Sequence, residues 1–297
     1  MKLKTIAVLA VLMTLFSCQD SNVESQADNN TQHADSVVDS GASASGLIDI
    51  DWSKIQILKD QLVLDLQKDS ENRDKYIIGF LDAYSKLEKE YNDILFASPN
   101  YDSLNVLAYA PEDNIDKSVI AFKEEAETKG FRIAQSEGMV YFTKNTDFIK
   151  SGIMEFLDPI SMEFINLYCQ EIDTACCRDA AIVISEELLV NRALKWGDLM
   201  DKVKESNYEN TAESSFNRYL FLVYSGEENT PSFDRKTTVF SQDLLESMKK
   251  VVADYPHANA SNAFKEYIVL LEQSGFRKTN DVDAYLKTLR QFPDLND

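Results

Sequence analysis

The chain repeats its own pattern in the last third of its length. When residues 196–224 are laid over residues 244–272, a constant shift of 48 residues places identical side chains on one another. A period of this size is typical of helix pairs, because a single pair cannot bury its apolar face without a stacked neighbour. Region 158–297 is therefore predicted to be a helix-pair repeat. The matched residues are Met200 and Met248, Lys202 and Lys250, Val203 and Val251, Ala212 and Ala260, Phe216 and Phe264, Tyr219 and Tyr267, and Leu222 and Leu270.

Apolar residues also recur at helical spacing in region 51–157. They predict one helix around residues 52–66, a second that ends before Pro99, and a third from Asn114 to Lys129 with Gly130 just past its end. Around residues 131–143 the pattern changes to two short runs of branched and aromatic residues, which favour strands. The predicted fold class is mainly α, a helix-pair repeat bundle with one small β-hairpin near 131–143.

The N-terminus reads "MKLKTIAVLAVLMTLFSC", with two lysines before an apolar run that is too short to span a bilayer. This pattern is typical of an export signal. Its last residues, Leu15 to Cys18, resemble the lipobox of bacterial lipoproteins, in which the cysteine becomes the acylated first residue. The resemblance implies a signal peptide at 1–17, a lipid anchor on Cys18, and a place in the cell envelope at the outer membrane. The alternative is an ordinary secreted protein in which Cys18 has no role.

Residues 18–50 are rich in Asp, Ser, Asn and Gln and nearly free of large apolar side chains. Such a segment cannot bury enough surface to offset the entropy of ordering, so we expect a disordered acidic tether. The whole chain has a formal net charge of −20, and no Lys or Arg lies between Lys4 and Lys54. This charge argues against nucleic acids and anionic lipid surfaces as partners.

The second copy of the repeat carries Tyr255-Pro256 at its turn and Ala263, Phe264 and Tyr267 on the following helix. In these residues it resembles the tetratricopeptide-type helix pairs of bacterial envelope lipoproteins. The first copy lacks the proline, and the period is longer than that family's. The resemblance implies a concave surface that holds another envelope protein or a peptide, without a cofactor, and therefore binding rather than catalysis.

Few residues suit catalysis. The only histidines are His33 in the tether and His257 in a predicted turn, whereas nucleophile systems need a histidine held beside the nucleophile. No glycine-rich phosphate loop or HExxH motif is present. A carboxylate-based hydrolase acting on polysaccharide or peptidoglycan is the alternative function, since it needs only two acids at the right separation. Glu137 at the hairpin tip and His257 are the candidate catalytic residues.

The loop "SGEENTPSFD" offers Glu227, Glu228 and Asp234 as oxygen ligands for Ca²⁺. The loop lacks the regular ligand spacing of an EF-hand. A solvated acidic loop between repeat units is the simpler interpretation, and no metal site is predicted.

Three cysteines, Cys169, Cys176 and Cys177, lie within nine positions. In an exported protein a disulfide is favoured over a zinc site, which would also need four ligands. On one unbroken helix Cys169 and Cys176 would be about 10.5 Å apart along the axis, beyond the Cα separation of about 7 Å that a disulfide tolerates. The sequence therefore predicts a break near Asp173-Thr174, a new helix from Ala175, and a bridge from Cys169 to Cys176 or Cys177. A ring between the two adjacent cysteines would be strained and ranks last.

Overall fold

The computed structural model describes residues 46–110 and 114–289. The fold of these residues is mainly α, as predicted, with a small antiparallel hairpin. The signal peptide, Cys18, His33 and most of the predicted tether lie outside the described residues. The helices are α1 (Ser53–Lys68), α2 (Arg73–Ala97), α3 (Tyr101–Leu104), α4 (Val106–Tyr109), α5 (Lys117–Thr128), α6 (Thr146–Lys150), α7 (Pro159–Asp173), α8 (Glu186–Lys202), α9 (Glu209–Ser225), α10 (Gln242–Asp254), α11 (Asn259–Gln273) and α12 (Asn280–Leu289), and the strands are β1 (Phe131–Ser136), β2 (Met139–Lys144), β3 (Cys177–Arg178) and β4 (Ala181–Ile182).

The hairpin of β1 and β2 confirms the prediction for this region. Phe131 pairs with Lys144 and Ser136 with Met139, so the two strands are joined by Glu137 and Gly138. Both of these turn residues have positive φ angles, 50° and 80°. A two-residue turn of this kind matches the twist of the strands it joins.

The hairpin places aromatic rings on the first helices. The ring of Phe131 lies 5.8 Å from that of Trp52 and 5.1 Å from that of Tyr91, measured between centroids. Phe142 on the neighbouring strand lies 5.6 Å from Trp52. Offset and edge-to-face contacts of this kind stabilise a core beyond the area they bury. This aromatic cluster holds β1 and β2 against α2 and against Trp52, the residue just before α1.

The end of the predicted tether belongs to this core. Ile48 and Ile50 are 4% and 0% exposed, and the Tyr91 hydroxyl donates a hydrogen bond of 2.6 Å to the Asp51 carbonyl. Residues 46–50 are therefore ordered, contrary to the prediction that the disordered segment extends to residue 50. Two isoleucines and a leucine in five positions supply the apolar surface that the earlier part of the segment lacks.

Two helix pairs form the C-terminal part, α8 with α9 and α10 with α11, and α8 also packs on α10 and α11. The pairs follow the 48-residue shift found in the sequence. Ala212 and Ala260 are both fully buried, and so is Phe264. Tyr267 of the second pair stacks on Tyr224 of the first, with ring centroids 3.9 Å apart. The repeat therefore places equivalent side chains in one continuous core.

The chain departs from the prediction after α7. That helix ends at Asp173, so the predicted break is confirmed. No helix begins at Ala175, however, because β3 and β4 form a second short hairpin there. The next helix, α8, begins only at Glu186, where the Ser185 hydroxyl caps it by accepting from the Leu188 amide. The turn residues Asp179 and Ala180 have φ angles of 50° and 54°. The prediction of a helix from Ala175 is wrong because this turn and the branched residues after it favour paired strands.

Candidate functional site

A cavity of about 400 Å³ lies between α2, α7, α8 and α9, beside the segment that leads into β3. Apolar side chains such as Ile78, Leu81 and Phe164 form part of its wall. Its size and mixed lining are typical of sites that hold a small molecule or a few residues of a peptide. Its polar and ionisable lining includes Lys144, Tyr168, Glu171, Cys176, Cys177 and Arg218.

Glu171 on α7 is held in the cavity wall by three donors. Its Oε1 accepts from Trp196 Nε1 at 3.0 Å, and its Oε2 accepts from Arg192 Nη1 at 3.0 Å and from the Tyr219 hydroxyl. The Arg192 side chain is 1% exposed and also donates to the Thr174 carbonyl at 2.6 Å. Burial raises the pKa of Tyr219, so its hydroxyl remains a donor to Glu171. This network connects α7, α8 and α9, and both oxygens of Glu171 accept hydrogen bonds within it.

Lys144 at the end of β2 supplies a second charge. Its Nζ lies 2.5 Å from Glu88 Oε2 on α2, and the lysine side chain is 11% exposed. Tyr168 on α7 lies beside this pair, and burial raises the pKa of its hydroxyl. The ion pair is therefore satisfied, and its positive end is only partly available to a ligand.

Arg218 on α9 differs from these groups. Its side chain is half-buried and lines the cavity, yet its guanidinium makes no hydrogen bond or ion pair with any residue in 46–110 or 114–289. The ionisable groups close enough to interact electrostatically with this guanidinium are those of Cys176, Cys177, Tyr219 and Glu171. No nitrogen of Arg218 is fully buried without a partner, so water reaches this guanidinium, and an anionic group of a ligand can replace that water.

The three cysteines do not form the predicted bridge. All three are free thiols in the structure, and Cys169 is fully buried near Lys59 and Lys150, where burial raises its pKa to about 11. The two adjacent cysteines lie together instead, with Cys176 Sγ 3.3 Å from Cys177 Sγ. The predicted bond from Cys169 to either neighbour is absent, because the hairpin that replaces the expected helix directs both later thiols toward the cavity.

The two candidate catalytic residues lie outside the cavity. Glu137 is exposed in the turn between β1 and β2, and His257 is exposed in the turn between α10 and α11. Neither residue lines the cavity. The carboxylates that do line it are Asp82 and Glu171, and the oxygens of Glu171 already accept bonds from three side chains. The structure thus places no free pair of acids in this wall.

The acidic loop after α9 is arranged as a turn. Asp234 Oδ1 accepts from the amides of Lys236 and Thr237 at 3.0 and 2.7 Å, and the bond from Thr237 is the main cause that lowers the pKa of Asp234. Glu228 is exposed and Glu227 is half-buried. Across residues 46–110 and 114–289, no group of three or more His, Cys, Asp and Glu side chains is placed to hold a metal ion.

The sequence did not point to Arg218, although the repeat carried a usable signal. At the 48-residue shift Arg218 matches Glu266, which is exposed on the second pair. The same helical position is half-buried in the first pair, where the cavity formed with α2 and α7 lies beside it. The sign of the charge differs between the two copies, and this difference points to a site only once the burial of both positions is known.

Comparison of the chain with protein-family models, with curated proteins and with solved structures finds no match in any of the three. None of the described helices combines the length and the apolar content that a membrane crossing requires.

Proposed function

We propose that this protein is a binding module of the bacterial cell envelope that holds a segment of another polypeptide in the cavity beside α9. The observation that carries the proposal is Arg218, a half-buried arginine in the cavity wall whose guanidinium has no ion-pair partner among the described residues. A carboxylate on the partner, either an acidic side chain or a C-terminus, would pair with it in two parallel hydrogen bonds.

The rest of the cavity supports a peptide ligand. Apolar walls formed by Ile78, Leu81 and Phe164 can cover a hydrophobic side chain next to the carboxylate. Lys144 adds positive charge, although Glu88 already pairs with it. Of the two carboxylates that line the cavity, Glu171 is held by its own donors, and neither Glu171 nor Asp82 lies at ion-pair distance from Arg218.

The helix pairs support the same class of function. Their packing is consistent with the tetratricopeptide-like architecture suggested by the sequence, and in that family such pairs hold polypeptides in concave surfaces. We extend the proposal to the anchor: Cys18 carries the lipid, and the segment after it tethers the body to the outer membrane. The body would then present its cavity to other envelope proteins.

Peptide binding is tested with a displayed library of random peptides and the full chain immobilised. The recovered peptides are expected to share an acidic residue or a free C-terminus. Arg218→Ala should lower their affinity about tenfold or more, which corresponds to the loss of one charge-assisted hydrogen-bonded pair. Lys249→Ala is the matched control, because it removes one positive charge from an exposed position of α10. Equal affinity for the parent and Arg218→Ala would refute the role of this residue.

A separate assay tests whether binding is the function at all. Incubation with cell-wall polysaccharide or peptidoglycan should release no reducing sugar above the level of a boiled sample. Release of sugar together with no recovered peptide would replace the binding module with the hydrolase.

The anchor is tested by metabolic labelling with radioactive palmitate in a bacterial host. The parent chain should incorporate label and partition into detergent, and Cys18→Ala should do neither. An unlabelled parent chain in the culture medium would instead identify an ordinary secreted protein.

A further inference from the structure

The two adjacent cysteines occupy a fixed position at the cavity. The turn at residues 179–180 is held from two sides. The Asn229 amide donates to the Ala180 carbonyl at 2.7 Å, and Asn229 Nδ2 donates to the Asp179 carbonyl at 2.8 Å. On the other side, the Ser136 hydroxyl donates to Asp179 Oδ1 at 3.0 Å. The hairpin that carries Cys177 is thus fixed by residues from the first hairpin and from the loop after α9.

The position of the thiols makes them chemically unequal. Their sulfurs are 3.3 Å apart, and Cys176 is 4% exposed while Cys177 is half-buried. A hydrogen bond from Cys177 lowers the pKa of Cys176, and the charge of Arg218 acts in the same direction. The pKa of Cys177 is raised, mainly because its proton is held between the two sulfurs. The two thiols lie within reach of each other, and the shared proton and the charge of Arg218 favour ionisation of Cys176 over Cys177.

Both sulfurs belong to residues that line the cavity, whereas Cys169 is not among the lining residues. A ligand in the cavity can therefore reach Cys176 and Cys177 but not Cys169. Arg218 lies near both thiols and can orient a carboxylate next to them.

From this arrangement we propose that Cys176 and Cys177 form a dithiol–disulfide exchange site for a small disulfide that carries carboxylate groups. The Cys176 thiolate attacks one sulfur of the disulfide RS–SR, forms a mixed disulfide and releases RS⁻. Cys177 gives its proton to that RS⁻, and its sulfur attacks Cys176 Sγ. The second RS⁻ leaves and takes up the proton that Cys176 lost on ionisation. Two electrons and two protons thus move from the cysteines to RS–SR, which yields two RSH and a Cys176–Cys177 disulfide. The ring that this disulfide closes between adjacent residues is strained, so thiols reduce it again readily, as an exchange site requires.

The proposal does not depend on peptide binding, because its test counts thiols. The full chain with Cys18→Ser is incubated at neutral pH with glutathione disulfide, quenched with acid, labelled with a maleimide after unfolding, and examined by mass spectrometry after digestion. The expected result is the joint loss of two thiols, mapped to Cys176 and Cys177, with Cys169 still labelled. Retention of all three thiols, or a bond that includes Cys169, would overturn the proposal.

Three variants in the same background assign the roles. Cys177→Ser should stop at a stable glutathione adduct on Cys176, because the second step has lost its thiol. Cys176→Ser should remain unmodified, and Cys169→Ser should lose two thiols as the parent does. An adduct that forms as fast on Cys176→Ser as on Cys177→Ser would refute the assignment of the nucleophile. The mapping on the parent protein stands even where a variant folds poorly.

Discussion

Lys59 on α1 is a buried cation, and it makes the stability of the fold depend on pH. The residue is 5% exposed, and its Nζ donates to the Ile149 carbonyl at 2.7 Å and lies 5.5 Å from the ring centroids of Phe80 and Phe148. Burial lowers its pKa from 10.5 to about 8. Because the charged form is disfavoured in the folded protein, Lys59 costs stability wherever it is protonated in both states, which is below about pH 8.

The size of the effect follows from the two pKa values. The full shift corresponds to about 3 kcal/mol at neutral pH. The cost diminishes as pH rises through the folded pKa, since the native state releases its proton first. Between pH 7 and pH 9.5 the contribution of Lys59 to the free energy of unfolding should therefore rise by about 2 kcal/mol.

Urea unfolding followed by circular dichroism at pH 7 and pH 9.5 measures this change. Other groups titrate in the same interval, so the informative quantity is the difference between the parent and Lys59→Met. Lys59→Met should lack the rise of about 2 kcal/mol that the parent gains from this residue. Lys54→Met is the matched control on the same helix, because Lys54 is exposed and its hydrogen bond to Glu90 raises its pKa. Equal pH dependence in the parent and Lys59→Met would refute the reasoning.

Three further substitutions test the packing, each read by urea unfolding. Gly130→Ala should lower the free energy of unfolding by about 1 to 3 kcal/mol, because φ is +94° and the new Cβ would meet a neighbouring side chain at 2.9 Å. Gly79→Ala is the control and should be neutral or stabilising, because a Cβ at this position of α2 meets no atom within 4 Å. Arg192→Leu should lower the free energy of unfolding by about 3 kcal/mol, because it leaves Glu171 without its cation. The double variant with Glu171→Leu should recover part of that loss. A double variant as unstable as the sum of the single variants would contradict this coupling. Asp158→Ala should cost about 1 kcal/mol by removing the N-terminal cap of α7, and no change would contradict that role.

The elements that the sequence predicts well are those defined by local patterns. Helix α2 ends at Ala97, just before Pro99, and α7 begins at Pro159 behind its Asp158 cap. Both ends follow from proline geometry and short-range hydrogen bonds, which are visible in a few consecutive residues. The second hairpin was missed because its turn contains Ala180 in a left-handed conformation, without the glycine or asparagine that announces such a turn.

The cavity could not be predicted in the same way. Its wall combines Lys144, Glu171, Cys176 and Arg218, which lie on four separate segments of the chain. A sequence pattern shows that these side chains are charged or nucleophilic, but it does not show which of them the fold leaves without a partner. The difference between Arg218 and Glu266 at equivalent positions of the repeat is a partial sequence signal for such a side chain. It can be interpreted only when the burial of both positions is known.

The turn at residues 179–180, which is held from two sides, can form only late in folding. Its partners lie 43 residues earlier at Ser136 and about 50 residues later at Asn229, so the turn is fixed only after both distant segments are in place. Contacts this far apart in sequence form late, because the loops between them must close first. Cys169 and Cys176 are seven residues apart in sequence, so oxidation of the unfolded chain would readily join two thiols that are free in the finished fold. A protein exported into an oxidising compartment would therefore have to fold faster than that bond forms.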